Sequence, residues 1–115
     1  MFEYEKCLEI PVIAFFKKRK FSTDREFEPY PSNISRKRID LLFTNKKRRI
    51  AVELKLHDWK KGVKQCTQNS VIFDETFLAL PSNQIKNVNM EDLKELGVGL
   101  ISVGDKVQIV LKAKA

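Results

Sequence analysis

Cysteine and histidine are scarce in this chain, and their scarcity excludes the most common disulfide and zinc sites. The sequence holds two cysteines and one histidine among 115 residues. Cys7 and Cys66 are far apart and neither belongs to a C-x-x-C pair, so neither a disulfide framework nor a zinc site is indicated. Cys66 falls at a core position of a predicted helix, where a reduced, buried thiol is the ordinary interpretation. Reduced thiols favour the cytoplasm.

Long hydrophobic runs are also missing. No apolar stretch approaches the roughly 20 residues that a membrane-spanning helix needs. The amino-terminal MFEYEKCLEI lacks the basic and apolar regions of a signal peptide. Hydrophobic residues make up 43% and charged residues 32%, which is typical of a globular protein. This length suits one hydrophobic core, so residues 1–115 are predicted to form a single cytoplasmic domain.

Positive charge exceeds negative charge. The chain has 22 lysines and arginines against 15 acidic residues, giving a net charge of +7. A basic surface favours binding to nucleic acid or another polyanion, although many small basic proteins bind neither. A solvated surface is the alternative interpretation for any one lysine. The best candidates for contacting phosphates are Lys46, Lys47, Lys60, Lys61 and Lys64.

The hydrophobic pattern predicts the element order α-β-β-β-α-β-α-β-β. Such an order favours an α/β fold with a mixed sheet and helices on its faces. Asp58 is predicted to cap the second helix, and Gly97 to end the third. The segments are a helix within 8–21, an edge strand and loop within 22–33, strands 37–44 and 49–57, helix 57–69, strand 75–81, helix 89–97, and strands 98–104 and 106–112.

The second and third strands predict a hairpin that brings two acids together. The hairpin would close over residues 45–48 in the register that the apolar pattern selects. One face would then be apolar, with the pairs Ile39–Leu54, Leu41–Val52 and Phe43–Ile50. On the other face Leu42 would pair with Ala51, and Asp40 would lie directly opposite Glu53, with Lys55 two residues further on.

Two opposed carboxylates destabilise a hairpin unless their charge is offset. A divalent cation between Asp40 and Glu53 would offset it, and carboxylate oxygens suit Mg²⁺ or Mn²⁺. The alternative is that both are surface acids balanced by Lys55, Arg38 and Arg49. His57 and Trp59 also lie close by in the sequence. His57 could act as a catalytic base, but a histidine at the end of a strand more often has no catalytic role. Trp59 could stack on a nucleic-acid base. Trp59 has the helical spacing of a core residue.

The residues RIDLLF and IAVELKL resemble the PD-(D/E)xK nuclease superfamily. An acid at the start of one strand is followed by E-x-K in the next strand and then by a helix, and the resemblance covers roughly residues 5–103. The segment from Val52 to Pro81 resembles a branch of predicted microbial nuclease-like domains. The overall spacing is similar to that of archaeal Holliday-junction resolvases. The resemblance implies a restriction-endonuclease-like fold with an αβββαβ core.

The resemblance also implies roles for individual residues. Asp40 and Glu53 match the two acids that bind metal, and Lys55 matches the lysine that orients or activates water. The residue before Asp40 is Ile39, where the motif has proline. A residue other than proline at this position is common in the superfamily. Gln65 falls where many members carry a glutamine, and Gln68 could compete for that role. A helix-1 glutamate often completes such a site, and here Glu5 and Glu9 both fit because they are four residues apart on one helix face.

Two functions follow as hypotheses. The first is a Mg²⁺-dependent or Mn²⁺-dependent endonuclease that hydrolyses DNA phosphodiester bonds, acting as a homodimer if the substrate is a four-way junction. The ion would stabilise charge on the phosphate and lower the pKa of a bound water. The second is a non-catalytic nucleic-acid-binding or interaction module on the same fold. The opposed acids and Lys55 favour the first, because a binding module has no need of them.

Overall fold

The computed structural model describes residues 2–27 and 38–114, whose six strands form one mixed sheet. The elements follow the predicted order, and the loop predicted after the edge strand falls outside the described residues. In chain order they are a 3-10 helix (Glu5–Leu8), α1 (Glu9–Lys18), β1 (Ser22–Phe27), β2 (Ile39–Thr44), β3 (Arg49–Leu54), α2 (Trp59–Asn69), β4 (Glu75–Pro81), a second 3-10 helix (Ser82–Asn87), α3 (Met90–Leu96), β5 (Gly99–Val103) and β6 (Val107–Leu111).

The strands lie side by side in their chain order, β1 to β6. The pairs β1–β2, β2–β3 and β5–β6 are antiparallel, whereas β3–β4 and β4–β5 are parallel. Parallel neighbours require a crossover connection, and α2 and α3 each lie within one of these connections. The predicted mixed α/β architecture, a six-stranded sheet flanked by helices, is confirmed.

Two apolar layers cover the two faces of the sheet. On one face, Leu8 of the first 3-10 helix and Val12 and Phe16 of α1 pack against the sheet, with the Phe16 and Phe43 rings stacked 4.2 Å apart. On the other face, Val63 and Cys66 of α2 pack in a separate cluster with side chains of β4, α3 and β5. The predicted burial of Cys66 is confirmed, and its thiol donates a hydrogen bond to the Phe77 carbonyl at 3.3 Å.

The predicted register of the β2–β3 hairpin is confirmed, with Leu41 opposite Val52 and Phe43 opposite Ile50. The prediction for Ile39 is wrong. Its five partners on the predicted apolar face lie in the cluster beneath α1, but Ile39 packs in another cluster with Leu42, Ala51 and Phe73. The regular pairing of β2 with β3 ends at Leu41–Val52. Beyond this pair, strand pairing no longer forces successive side chains onto opposite faces of the sheet.

Local signals place the ends of the helices. The Asp58 carboxylate accepts a hydrogen bond from the Lys61 backbone N–H at 3.2 Å, so α2 begins at Trp59, and β3 ends earlier than predicted, at Leu54. Gly97 ends α3 with a φ of 74°, which glycine adopts without strain. Both caps were predicted. Within residues 2–27 and 38–114, no helix is long and apolar enough to span a membrane.

Candidate functional site

The candidate site lies where β2 and β3 separate. Beyond the Leu41–Val52 pair, the Asp40 side chain replaces the backbone as hydrogen-bond acceptor: its Oδ2 accepts from the Leu54 N–H at 2.9 Å. This bond holds the half-buried Asp40 carboxylate against the end of β3. The regular pairing ends before Asp40 and Glu53, so their placement directly opposite each other stays a prediction. What the structure shows is that the Asp40 carboxylate binds the backbone of Leu54, the residue after Glu53.

Glu53 is a buried acid in an interior strand. It is 1% exposed, and its Oε2 accepts a hydrogen bond from the Asn69 side-chain amide of α2 at 2.8 Å. The interpretation of Glu53 as a surface acid is therefore wrong. Arg49, one proposed partner in that interpretation, instead donates to the Ile72 carbonyl at 3.2 Å. Burying a carboxylate carries a large desolvation cost, so its position calls for a compensating charge or hydrogen bonds.

Lys55 directly follows β3 and packs beneath the first turns of α2. Its backbone N–H donates to the Ala79 carbonyl at 3.1 Å, which prolongs the alignment of β3 with β4. Its aliphatic stem passes close to Gly62, since a Cβ placed on Gly62 would lie 3.0 Å from Lys55 Cγ. The strand alternation puts Lys55 on the face of Glu53, two residues away.

One face of α2 lies over these side chains. Gly62 contacts Lys55, and Asn69, two turns later, contacts Glu53. Gln65 lies between them and is half-buried, and its Oε1 is buried with no hydrogen-bond donor among the described residues. Gln68, the competing glutamine, is exposed. The sequence analysis missed Asn69, although its position three residues after the buried Cys66 could have indicated that it faces the sheet.

The two amino-terminal glutamates do not lie on one α-helix as predicted. Glu5 is exposed in the 3-10 helix, whereas Glu9 begins α1 and is 8% exposed. Glu9 Oε1 forms an ion pair with Arg25 of β1 at 3.0 Å. Three or more His, Cys, Asp or Glu side chains do not converge on a possible metal position anywhere in the described ranges. The structure therefore does not bring a third carboxylate to Asp40 and Glu53.

The candidate nucleic-acid-binding lysines fall into two groups. Lys60, Lys61 and Lys64 are exposed in the first half of α2, at the end of the sheet where Lys55 lies. Lys46 and Lys47 are exposed in the β2–β3 turn, at the opposite end of β3. A strand of this length spans about 20 Å. Of these five described lysines, the three in α2 therefore lie at the same end of β3 as Glu53, and the two in the turn lie at the other end. His57 is exposed, and Trp59 packs against the cluster of α2 and α3.

The donor atoms at this site fit a small, hard cation. Asp40 and Glu53 supply two carboxylates, and Mg²⁺ is usually held by one or two carboxylates with water as its other ligands. The buried amide oxygens of Gln65 and Asn69, both without a donor among the described residues, add further oxygen atoms to this face. Within residues 2–27 and 38–114, histidine and thiolate ligands, which zinc prefers, do not join these acids in a group of three.

Comparisons with known proteins support the fold. No protein-family model matches this sequence, and no curated protein matches it. Among solved structures, a protein of unknown function from Silicibacter pomeroyi is similar, with a TM-score of 0.68 and 18% sequence identity. The similarity covers 92% of this chain and 68% of that one. At this identity the likeness shows the fold alone.

Proposed function

We propose that this protein is a metal-dependent endonuclease that hydrolyses DNA phosphodiester bonds on a restriction-endonuclease-like core. The observation that carries the proposal is the hydrogen bond from the Leu54 N–H to the Asp40 carboxylate. It fixes the Asp40 carboxylate at the point where β2 and β3 separate, on the backbone of the residue that follows the buried Glu53. Two carboxylates close together in a partly buried place favour the binding of a cation between them.

Each residue of the site has a role in this proposal. Asp40 and Glu53 would hold Mg²⁺ or Mn²⁺, and the bound ion stabilises charge on the phosphate and lowers the pKa of a water molecule. Lys55 adds positive charge where negative charge develops in the transition state. The Gln65 amide can accept a hydrogen bond from the attacking water and so orient it. The exposed α2 lysines hold the phosphates on either side of the cleaved bond.

A non-catalytic DNA-binding or interaction module is the second candidate. The observation that favours it is that no group of three or more His, Cys, Asp or Glu side chains converges within the described residues. Such a protein would bind DNA through its lysines and leave it intact. We favour the nuclease because binding alone gives no reason to bury Glu53 one residue from the backbone N–H that holds Asp40. Cutting a branched substrate on two strands would require a homodimer.

The cleavage assay that tests the proposal uses the purified chain with labelled single-stranded, duplex, flap and four-way-junction DNA, and with RNA of matched sequence. We expect cutting in Mg²⁺ or Mn²⁺ and none in EDTA. Asp40→Asn should lose cleavage by about 100-fold or more, because it removes one of the two charges that bind the metal. Binding without cutting on every substrate, equal in Asp40→Asn, would instead support the non-catalytic module.

The two groups of lysines are expected to act differently. Replacing Lys60, Lys61 and Lys64 together by glutamine should weaken DNA binding and lower the salt slope of the binding constant by up to about 3, because each contacted phosphate contributes roughly one. Cleavage at low DNA concentration should fall in parallel. The matched control is Lys46→Gln with Lys47→Gln, which lie at the far end of β3. Fluorescence anisotropy across a salt series measures both slopes.

We expect the turn variant to affect binding at most, and to leave the rate on saturating DNA unchanged. A larger loss of cleavage in the turn variant than in the α2 variant would contradict the placement of DNA over α2.

A further inference from the structure

Asn69 of α2 touches Glu53, one of the two proposed metal-binding acids. Its Nδ2 donates to Glu53 Oε2 at 2.8 Å, and both residues are 1% exposed. A buried hydrogen bond to a charged acceptor is stronger than one between neutral groups, and it is short and directional. Asn69 therefore restrains the orientation of the Glu53 carboxylate.

The position of Asn69 on α2 makes this restraint rigid. It is the last residue of the helix, and the Phe73 N–H donates to its carbonyl at 3.1 Å and so ties the following turn to it. On the same helix the Cys66 thiol donates to the Phe77 carbonyl of β4. The end of α2 is thus fixed to the sheet next to Glu53, and the amide has little freedom to move away.

We propose that Asn69 is a positioning residue that orients Glu53 for binding a divalent cation, an inference that rests on the metal site of the proposed function. An amide suits this task because it donates to a carboxylate without neutralising it. A lysine or arginine at this place would offset the charge of Glu53 and compete with the cation. Groups that orient metal ligands in this way commonly change metal affinity by 10- to 100-fold when they are removed.

The amide oxygens on the same helix face agree with this role. Asn69 Oδ1 and Gln65 Oε1 are buried, and neither accepts a hydrogen bond from a described residue. Buried acceptors of this kind in native proteins call for a water molecule or an ion as partner. Positions four apart on a helix are neighbours, so Gln65 and Asn69 share the face of α2 from which Asn69 contacts Glu53.

Binding of Mn²⁺ to the full chain, in the absence of DNA, tests the role directly. The free Mn²⁺ signal in electron paramagnetic resonance gives the dissociation constant for the wild type, Asn69→Ala, Asn69→Ser and Glu53→Gln. We expect binding about 10- to 100-fold weaker in both Asn69 variants and lost in Glu53→Gln. Asn87→Ala is the matched control, since that exposed amide donates to Gln84 Oε1 at 3.0 Å in the second 3-10 helix.

A spectroscopic signature separates positioning from a purely structural contribution and needs no Asn69 variant. In nitrogen-15 spectra of the wild type, the side-chain amide protons of Asn69 should move when Glu53 is changed to glutamine, because the charged acceptor becomes neutral. Added Mn²⁺ should broaden the Asn69 and Gln65 amide signals before those of Asn87. Asn69 signals that are insensitive to both changes would overturn the inference, even if Asn69→Ala does not fold.

The outcomes distinguish this inference from the nuclease itself. Mn²⁺ binding that requires Glu53 and weakens in the Asn69 variants, without cleavage of any DNA, would support the role of Asn69 and reject the nuclease. Cleavage of DNA together with unaltered Mn²⁺ affinity in both Asn69 variants would support the nuclease and reject the role of Asn69. Mn²⁺ binding that is indifferent to Glu53 would reject both.

Discussion

Glu53→Gln is expected to reduce metal-dependent DNA cleavage by about 100- to 1000-fold, the loss typical when one group that stabilises developing charge is removed. Glutamine keeps the shape of the side chain, and its carbonyl oxygen can still accept from Asn69. The negative charge that binds the cation is lost. Initial rates under single-turnover conditions, with the Mg²⁺ concentration varied, measure the effect.

Glu75→Gln is the matched control for Glu53→Gln. Glu75 is also a largely buried acid, 9% exposed, on the neighbouring strand β4, and its Oε2 accepts from Arg48 at 2.6 Å. Loss of the Glu75 charge should lower the free energy of unfolding and leave the cleavage rate of the folded protein close to that of wild type. Equal losses in the two variants would show that burial, and not metal binding, explains the effect of Glu53.

Lys55→Met in the same assay separates charge from packing, because methionine retains most of the aliphatic stem that passes beneath Gly62. We expect a loss comparable to that of Glu53→Gln, with little change in thermal stability. A Lys55→Met variant that cuts DNA at the wild-type rate would remove Lys55 from the mechanism.

Gly62→Ala is expected to destabilise the protein by about 1–3 kcal/mol, the usual cost of forcing extra atoms into a well-packed place. A Cβ at this position would lie 2.4 Å from Leu78 Cδ1 and 3.0 Å from Lys55 Cγ. Alanine favours a helix over glycine by about 1 kcal/mol, and the overlap outweighs this gain because Leu78 is fully buried. The midpoint of urea unfolding measures the difference.

Gln68→Ala, at an exposed position of the same helix, is the control for Gly62→Ala. It should be neutral or slightly stabilising, since helix propensity is the main term that changes there. If Gly62→Ala were as stable as Gln68→Ala, the packing of α2 over Lys55 and Leu78 would be looser than described.

The sequence was sufficient to predict those parts of the site that depend on local pattern. Apolar alternation gave the register that sets Leu41 opposite Val52 and Phe43 opposite Ile50, because any one-residue shift would have turned the apolar side chains of β3 out of the core. The side chain of Asp58 and the backbone freedom of Gly97 marked the ends of α2 and α3 for equally local reasons. Each of these signals lies within a few residues of the structure that it determines.

The features that the sequence did not reveal arise from contacts between distant segments. The bond between Asn69 and Glu53 depends on the way that α2 crosses the sheet, and the ion pair of Glu9 with Arg25 depends on where α1 meets β1. The separation of β2 from β3 likewise moved Ile39 to another cluster. Hydrophobic period and capping residues carry no information on such contacts, which tertiary packing decides.

The parallel pairing of β3 with β4 also determines the order in which the site can assemble during folding. Asp40 and Glu53 belong to a hairpin with a short turn, and hairpins form within microseconds. Asn69 reaches Glu53 only after α2 has crossed over and β4 has paired with β3, and such non-local pairing is slow. Early in folding the hairpin therefore forms without the hydrogen bond from Asn69 to Glu53. The complete site is therefore a late product of folding, formed with the central sheet.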